Sequence, residues 1–319
     1  MTDTGSPPIQ KLAVIGGGLI GSSVLRAVRD TGAAQSTSVF DASAEVRGRL
    51  DEIGCSDQVV DTLSAAVADA DLVILAVPVG AFASLAGPLA EALRPGTILS
   101  DVGSVKSSVF EMLAPACQEN VHLIPAHPVA GTEKSGPDAG FGSLFQGRWC
   151  ILTPPDNADP SAVDRLAAFW RALGSDVEIM SAQHHDLVLA ITSHVPHLIA
   201  YNIVGTASDL EKVTNSEVIK YSAGGFRDFT RIAASDPVMW RDVFLHNREA
   251  VLEMLGRFSE DLTALQRAIR YGDGDGLETL FTRTRAIRRQ IIDAGQDSAE
   301  ADFGRAGRGE EEGEGEDFP

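Results

Sequence analysis

Gly16, Gly18 and Gly21 lie just after the apolar run Leu12-Ala13-Val14-Ile15 and just before a helix-like stretch. This is the G-x-G-x-x-G spacing of a strand–turn–helix that cradles a pyrophosphate. Gly16 allows the tight turn, Gly18 the close approach of backbone to phosphate, and Gly21 the packing of helix on strand. Leu19 and Ile20 open the helix, whose free N–H groups and partial positive charge favour an anion. Twenty residues past Gly21, the run Ser38-Val39-Phe40 ends in Asp41. A carboxylate there accepts hydrogen bonds from both ribose hydroxyls and repels a 2′-phosphate, so the expected cofactor is NAD and not NADP.

Four further segments concentrate reactive side chains. Asp101-Val102-Gly103-Ser104-Val105-Lys106 and His127-Pro128-Val129-Ala130-Gly131-Thr132-Glu133-Lys134-Ser135-Gly136 each follow a strand-like run. They fall on the sheet edge that carries the glycine turn, as do Val77 and Pro78 at the end of Asp71–Val77. Ser193-His194-Val195-Pro196-His197 puts residues 193 and 197 on one helical face. Gly224–Ile232 carries Arg227 and Arg231, and an arginine here can clamp a carboxylate bidentately. A metal is not expected: H-x2-H at 194 and 197 is a loose spacing and no cysteine assists it. His184 and His185 read as solvated or capping.

The elements that must position these groups change character along the chain. Strand-like runs at 11–16, 37–41, 71–77, 97–101, 121–126, 149–153 and 176–180 alternate with helical stretches, implying a doubly wound parallel sheet. Beyond residue 181 only helical patterns remain, at 183–207 with a kink at Pro196, at 236–271 opened by Ser235-Asp236-Pro237, and at 275–294. The expected fold is therefore α/β: disordered residues 1–10, a Rossmann-type dinucleotide-binding domain over 11–181, an all-α domain over 182–296, and an acidic disordered tail over 304–319. The helix from Pro237 has more apolar surface than one buried stripe needs, which points to a homodimer.

The net charge is −19 over 319 residues. Six acids against two arginines leave residues 303–319 at −4 and the rest of the chain at −15. So acidic a body argues against nucleic acid and anionic membrane as partners. No stretch reads as a membrane span or a signal peptide, and the scattered Cys55, Cys117 and Cys150 suit a reducing cytoplasm.

Taken together, GGGLIGSS, DVGSVK, HPVAGTEKSG, SHVPH and GGFRDFTRIAASDPVMWRDVF resemble the prephenate dehydrogenases, a group that includes the arogenate and cyclohexadienyl dehydrogenases of tyrosine biosynthesis. The pieces span residues 11 to about 245 in the expected order; Val195, where the family usually has leucine, is a small departure. The resemblance implies NAD-dependent oxidative decarboxylation of prephenate or arogenate. It implies that His127 is the catalytic histidine facing the ring hydroxyl, with Ser104 hydrogen-bonding near both. His197 and Ser193 would hold the substrate, with Thr132 beside them; Arg231 would bind its ring carboxylate; Glu133 would join an ionic network at the pocket entrance. Trp240 would approach the partner subunit's pocket. Two other readings stand beside it. One is another two-domain NAD(P)-dependent dehydrogenase acting on a hydroxy acid or imine, which leaves HPVAGTEKSG unexplained. The other is a non-catalytic nucleotide sensor, against which Ser104, His127, His197 and Arg231 all count.

Overall fold

The structure is a computed structural model and describes residues 8–117, 120–132, 134–214 and 223–293. The expectations for residues 304–319 and for the first seven residues lie outside these. The described residues form two compact units. One runs to His197 and takes in Ala234–Met254; the other comprises the described parts of Leu198–Ala233 and of the chain from Leu255 onward. The first unit thus reaches past residue 181, because the start of the helical region packs with the nucleotide-binding fold.

The first unit is built on strands β1 (Ile9–Ile15), β2 (Ala34–Phe40), β3 (Gln58–Val59), β4 (Leu72–Leu75), β5 (Ile98–Asp101) and β6 (His122–Leu123). They form one parallel sheet in the order β3-β2-β1-β4-β5-β6. β1 starts at Ile9, inside the segment expected to be disordered, because the Ile9 side chain is wholly buried in the core. β4 is apolar at every position and buried at every position, as a central parallel strand covered on both faces requires. Helices α1 (Leu19–Thr31), α2 (Ala44–Ile53), α3 (Leu63–Val67), α4 (Phe82–Ala92) and α5 (Ser107–Leu113) connect the strands. The strand order reverses direction between β1 and β4, and the C-terminal ends there form the ligand crevice of an open α/β sheet.

The strand expected at 121–126 is two strands in two sheets. The last bond of β6 to β5 is Ile124 N–H to Leu99 O, 2.9 Å. Pro125 then has no N–H to continue the ladder, and its carbonyl accepts from Thr153 instead, 2.9 Å. The chain enters a second sheet of three strands, β7 (Ala126–Pro128), β8 (Trp149–Leu152) and β9 (Asp176–Ile179), with β7 antiparallel to β8. One continuous parallel sheet is therefore not what forms. Helix α6 (Pro160–Ala172) packs Phe169 and Trp170 beside Phe145 under this sheet, edge to face at 5.4 and 5.6 Å about Trp170.

Helix α7 (Ala182–Leu189) continues through a π turn, Ala190–His194, into α8 (Val195–Thr214). Pro196 cannot donate to the carbonyl of Thr192, and the helix absorbs this with the wider turn expected of a proline irregularity. By length and composition alone, Ala182–Leu210 is long and apolar enough to cross a membrane, which the sequence reading did not anticipate. Its His185, Asp186 and His194 are buried and hydrogen-bonded to protein groups.

Further on lie α9 (Gly224–Thr230), α10 (Pro237–His246), α11 (Arg248–Tyr271) and α12 (Gly274–Asp293). Asp236 caps α10, accepting from Met239 N–H at 2.7 Å, with Pro237 in the first turn. The single helix expected over 236–271 is broken at Asn247, whose φ of −109° and ψ of 34° leave the helical region. Its side chain explains the break, as the site shows.

Candidate active site

The glycine turn has the geometry its sequence implies. Gly16 has φ +104°, and an added Cβ there would strike the Ala76 carbonyl at the end of β4. A Cβ on Gly21 would strike the carbonyl of Gly16, so the helix packs on the turn only because residue 21 has no side chain. A Cβ on Gly18 would meet nothing, leaving open space where the backbone faces the crevice. Gly18 is also the N-cap of α1 and offers no side chain to its free N–H groups. These are the features a bound pyrophosphate needs. Asp41, at the end of β2, accepts from Gly17 N–H through Oδ2 and from Ser43 N–H through Oδ1, both at 2.8 Å. Its carboxylate therefore also ties the glycine turn to the β2–α2 connection.

A cavity of about 470 Å³ opens beside this turn. Leu19, Ile20, Val77, Pro78, Ser104, His127 and Thr132 line it, with Val238, Met239 and Val243 from α10. The structure thus brings together the groups placed on one sheet edge by sequence. The loop after β7 then runs back over the nucleotide side: Phe141 N–H donates to Ser23 Oγ on α1 at 3.1 Å, and Arg49 on α2 pairs with Asp138 at 2.7 Å.

His127 is buried, and behind it lies a chain of hydrogen bonds. His127 Nδ1 meets His185 Nε2 at 2.8 Å, and His185 Nδ1 meets Asp186 Oδ1 at 2.8 Å. The Asp186 carboxylate also accepts the N–H groups of Lys106 and Ser107 at the start of α5, each at 2.8 Å. Asp186 is an acceptor when ionised, so His185 must carry its proton on Nδ1. Neutral His185 then accepts on Nε2, and His127 donates from Nδ1. That leaves Nε2 of His127 with a free lone pair in the ring that lines the cavity.

The electrostatics keep this lone pair available. Burial, reinforced by His185, Lys106 and His194, holds His127 well below the usual imidazole range. Burial lowers His185 as well, opposed by its bond to Asp186. Burial raises the Asp186 carboxyl, but the bonds from His185 and Ser107 outweigh it and leave it below the usual carboxylate value. Beneath His127, Lys106 Nζ pairs with Asp101 at 2.5 Å and donates to Ala126 O at 2.7 Å, with both side chains fully buried. Asp101 further accepts from Gly103 N–H at 2.8 Å, so this pair knits the Asp101–Lys106 turn to β7.

Asn247 closes the network. Its Nδ2 donates to the Asp186 carbonyl at 2.8 Å and meets His194 Nδ1 at 3.0 Å. Serving both partners fixes the side chain and accounts for the helix break. His194 is pushed down to about 4, first by burial and then by His185.

The remaining expected residues are placed differently. His197 Nδ1 bonds its own helix at Ser193 O, 2.8 Å, and its ring stacks on Trp240. Trp240 is buried within its own unit against His194, His197 and Phe244. Arg231 is exposed and opens the short turn Arg231–Ala234 in the second unit. Glu133 lies outside the described residues. Sequence reading missed His185, Asp186 and Asn247. Ala182, Asp186 and Leu189 at i, i+4 and i+7 mark an inward face that includes His185 at i+3, so the solvated or capping role assigned to His185 is wrong. His184 is exposed. Among the described residues no group of three or more His, Cys, Asp or Glu side chains is arranged to hold a metal ion.

The sequence matches two family descriptions in succession: "Prephenate dehydrogenase, nucleotide-binding domain" over residues 24–179 and "Prephenate dehydrogenase, dimerization domain" over 181–283. It is 44% identical to a cyclohexadienyl dehydrogenase of Zymomonas mobilis over 87% of this chain and 94% of that protein. It is 32% identical to a prephenate dehydrogenase of Bacillus subtilis, over 85% of this chain and 72% of that one. The crystal structure of prephenate dehydrogenase from A. aeolicus in complex with hydroxyphenyl propionate and NAD+ superposes with a TM-score of 0.82, at 31% identity, covering 88% of this chain and 98% of that one. A buried histidine beside an open-sheet glycine turn, two family descriptions that together cover most of the chain, and relatives aligned over most of their own length converge: the chain belongs to the prephenate dehydrogenase family.

Proposed function

We propose that this enzyme oxidises and decarboxylates prephenate, or its amino counterpart arogenate, with NAD as hydride acceptor, in tyrosine biosynthesis. The observation that carries the reading is the free Nε2 of His127 in a cavity shared with the N-terminus of α1. Relatives that act on prephenate or cyclohexadienyl substrates, and a neighbour holding NAD+, support it.

The residues fit the cofactor: Gly16, Gly18 and Gly21 leave room for a pyrophosphate, and Asp41 offers a carboxylate to the ribose. Bound NAD supplies a nicotinamide that accepts a hydride. His127 Nε2 takes the proton of the ring hydroxyl as the hydride leaves the same carbon. The resulting dienone withdraws the electron pair of the ring carbon–carboxylate bond, CO2 departs, and the ring becomes aromatic. The phenolate oxygen takes its proton back from His127. Ser104, which lines the same cavity, donates or accepts at the hydroxyl oxygen. Thr132 lines the substrate end, and His197 and Ser193, held to each other, support it. Arg231 holds the ring carboxylate and orients the departing group. Glu133 belongs to the entrance network.

We further read the enzyme as a cytoplasmic homodimer that binds neither nucleic acid nor membrane. Its three cysteines are free, its net charge is −19, and apolar side chains such as Ile269, Phe281 and Ile287 stand exposed in the second unit. The deciding experiment follows NADH formation with prephenate and with arogenate, each with NAD and NADP. Turnover of neither substrate overturns the proposal.

A further inference from the structure

We infer that His185 and Asp186 are positioning residues that fix the tautomer of His127, so that its Nε2 reaches the cavity unprotonated. The inference rests on His127 acting as base in the proposed reaction, but its geometric half does not.

Three observations carry it. The chain Asp186–His185–His127 is continuous, with both ring-to-partner distances at 2.8 Å. It is buried: His185 is fully buried and Asp186 and His127 nearly so. Finally, it has a direction, because its far end is anchored as an acceptor. Asp186 receives two backbone N–H groups at the start of α5, and Asn247 pins its carbonyl from behind. An anion at a helix N-terminus is electrostatically favoured. Each proton position along the chain then follows from the one before it. When His127 takes the substrate proton on Nε2, the imidazolium still donates from Nδ1 to His185, which still donates to the carboxylate. The new positive charge thus meets oriented, buried acceptors behind the ring, with no proton needing to leave His127. The facing groups from other elements are Lys106 and Asp101, already paired with each other, and His194, already held by Asn247.

Nitrogen-15 NMR of the histidines in the unliganded protein tests the geometric half without any substrate. The expected spectrum has His127 and His185 each protonated on Nδ1 and free on Nε2. Kinetics test the rest. In Asp186→Asn, the amide can donate to His185 Nδ1, which reverses both tautomers and puts a proton on His127 Nε2. We expect kcat to fall roughly 10²–10⁴-fold with substrate KM and NAD affinity within about threefold. His185→Gln can still accept from His127 Nδ1–H and should keep kcat within about tenfold, while His185→Leu should lose about a hundredfold or more. Wild-type His127 protonated on Nε2 overturns the inference. So does near-normal kcat in both Asp186→Asn and His185→Leu, or equal damage in His185→Gln and His185→Leu. If the protein turns over neither prephenate nor arogenate while the spectrum is as expected, the proposed function fails and the tautomer assignment stands.

Discussion

His197 lies nearly flat against Trp240, with ring centroids 3.7 Å apart and planes 23° from parallel. The stack joins the helix that carries Ser193 to α10, whose Val238, Met239 and Val243 line the cavity. Trp240 Nε1 is buried without a hydrogen-bond partner, so the indole acts here through its faces. Trp240→Phe should therefore cost little stability, about 1.5 kcal/mol or less, and leave substrate KM nearly unchanged. Trp240→Ala should cost about 3–5 kcal/mol in denaturant unfolding and raise KM by freeing His197.

The buried histidines set a pH dependence. Burial lowers His127, His185 and His194 in the folded enzyme, the last to about 4. Below about pH 6.5 the unfolded chain therefore binds protons that the folded protein refuses. Stability should be flat above that pH and fall as pH drops toward 4, by up to about 1.4 kcal/mol per pH unit for each histidine. Activity follows the same sign: kcat/KM should hold at its plateau well below pH 6.5, because His127 stays neutral. Urea unfolding and rate profiles across pH 4–8 check both.

Asp41 ties the glycine turn to the β2–α2 connection and, in the proposed reading, faces the cofactor ribose. Asp41→Ser should relax the preference for NAD over NADP, since a 2′-phosphate no longer meets a carboxylate. It should also weaken NAD binding itself, because the bonds to Gly17 and Ser43 are lost together. Comparing kcat/KM for both cofactors with NAD affinity separates the two effects.

Arg231→Ala should raise prephenate KM about tenfold or more, with NAD binding near normal, since a lost charge-assisted hydrogen bond costs about 1.5–3 kcal/mol. Arg231→Lys should rescue only part of this, lacking the bidentate fork. Equal loss of NAD and prephenate binding would instead mark a folding defect.

The nucleotide half of the site was legible because its constraints are local. Gly16, Gly18, Gly21 and Asp41 are dictated by one turn and one strand end. That His127 and Ser104 line one cavity was legible because strand ends of an open sheet share an edge. The support behind His127 was not, because it joins residues 127, 185, 186 and 247, which no local spacing relates. The break at Asn247 was hidden for the same reason: an apolar pattern continues through it, and only a distant carbonyl and imidazole require the residue to leave the helix. Pro125 was available to reading and signals the change of sheet, yet the apolar run across it looked like a single strand.

The glycine turn, the loop strapped over α1, the supported histidine and the lining part of α10 all belong to one compact unit. The spacing between the glycine turn and His127 is thereby a property of a single body, like the fixed spacing between the jaws of a set gauge. Any change that leaves this unit intact leaves that spacing intact.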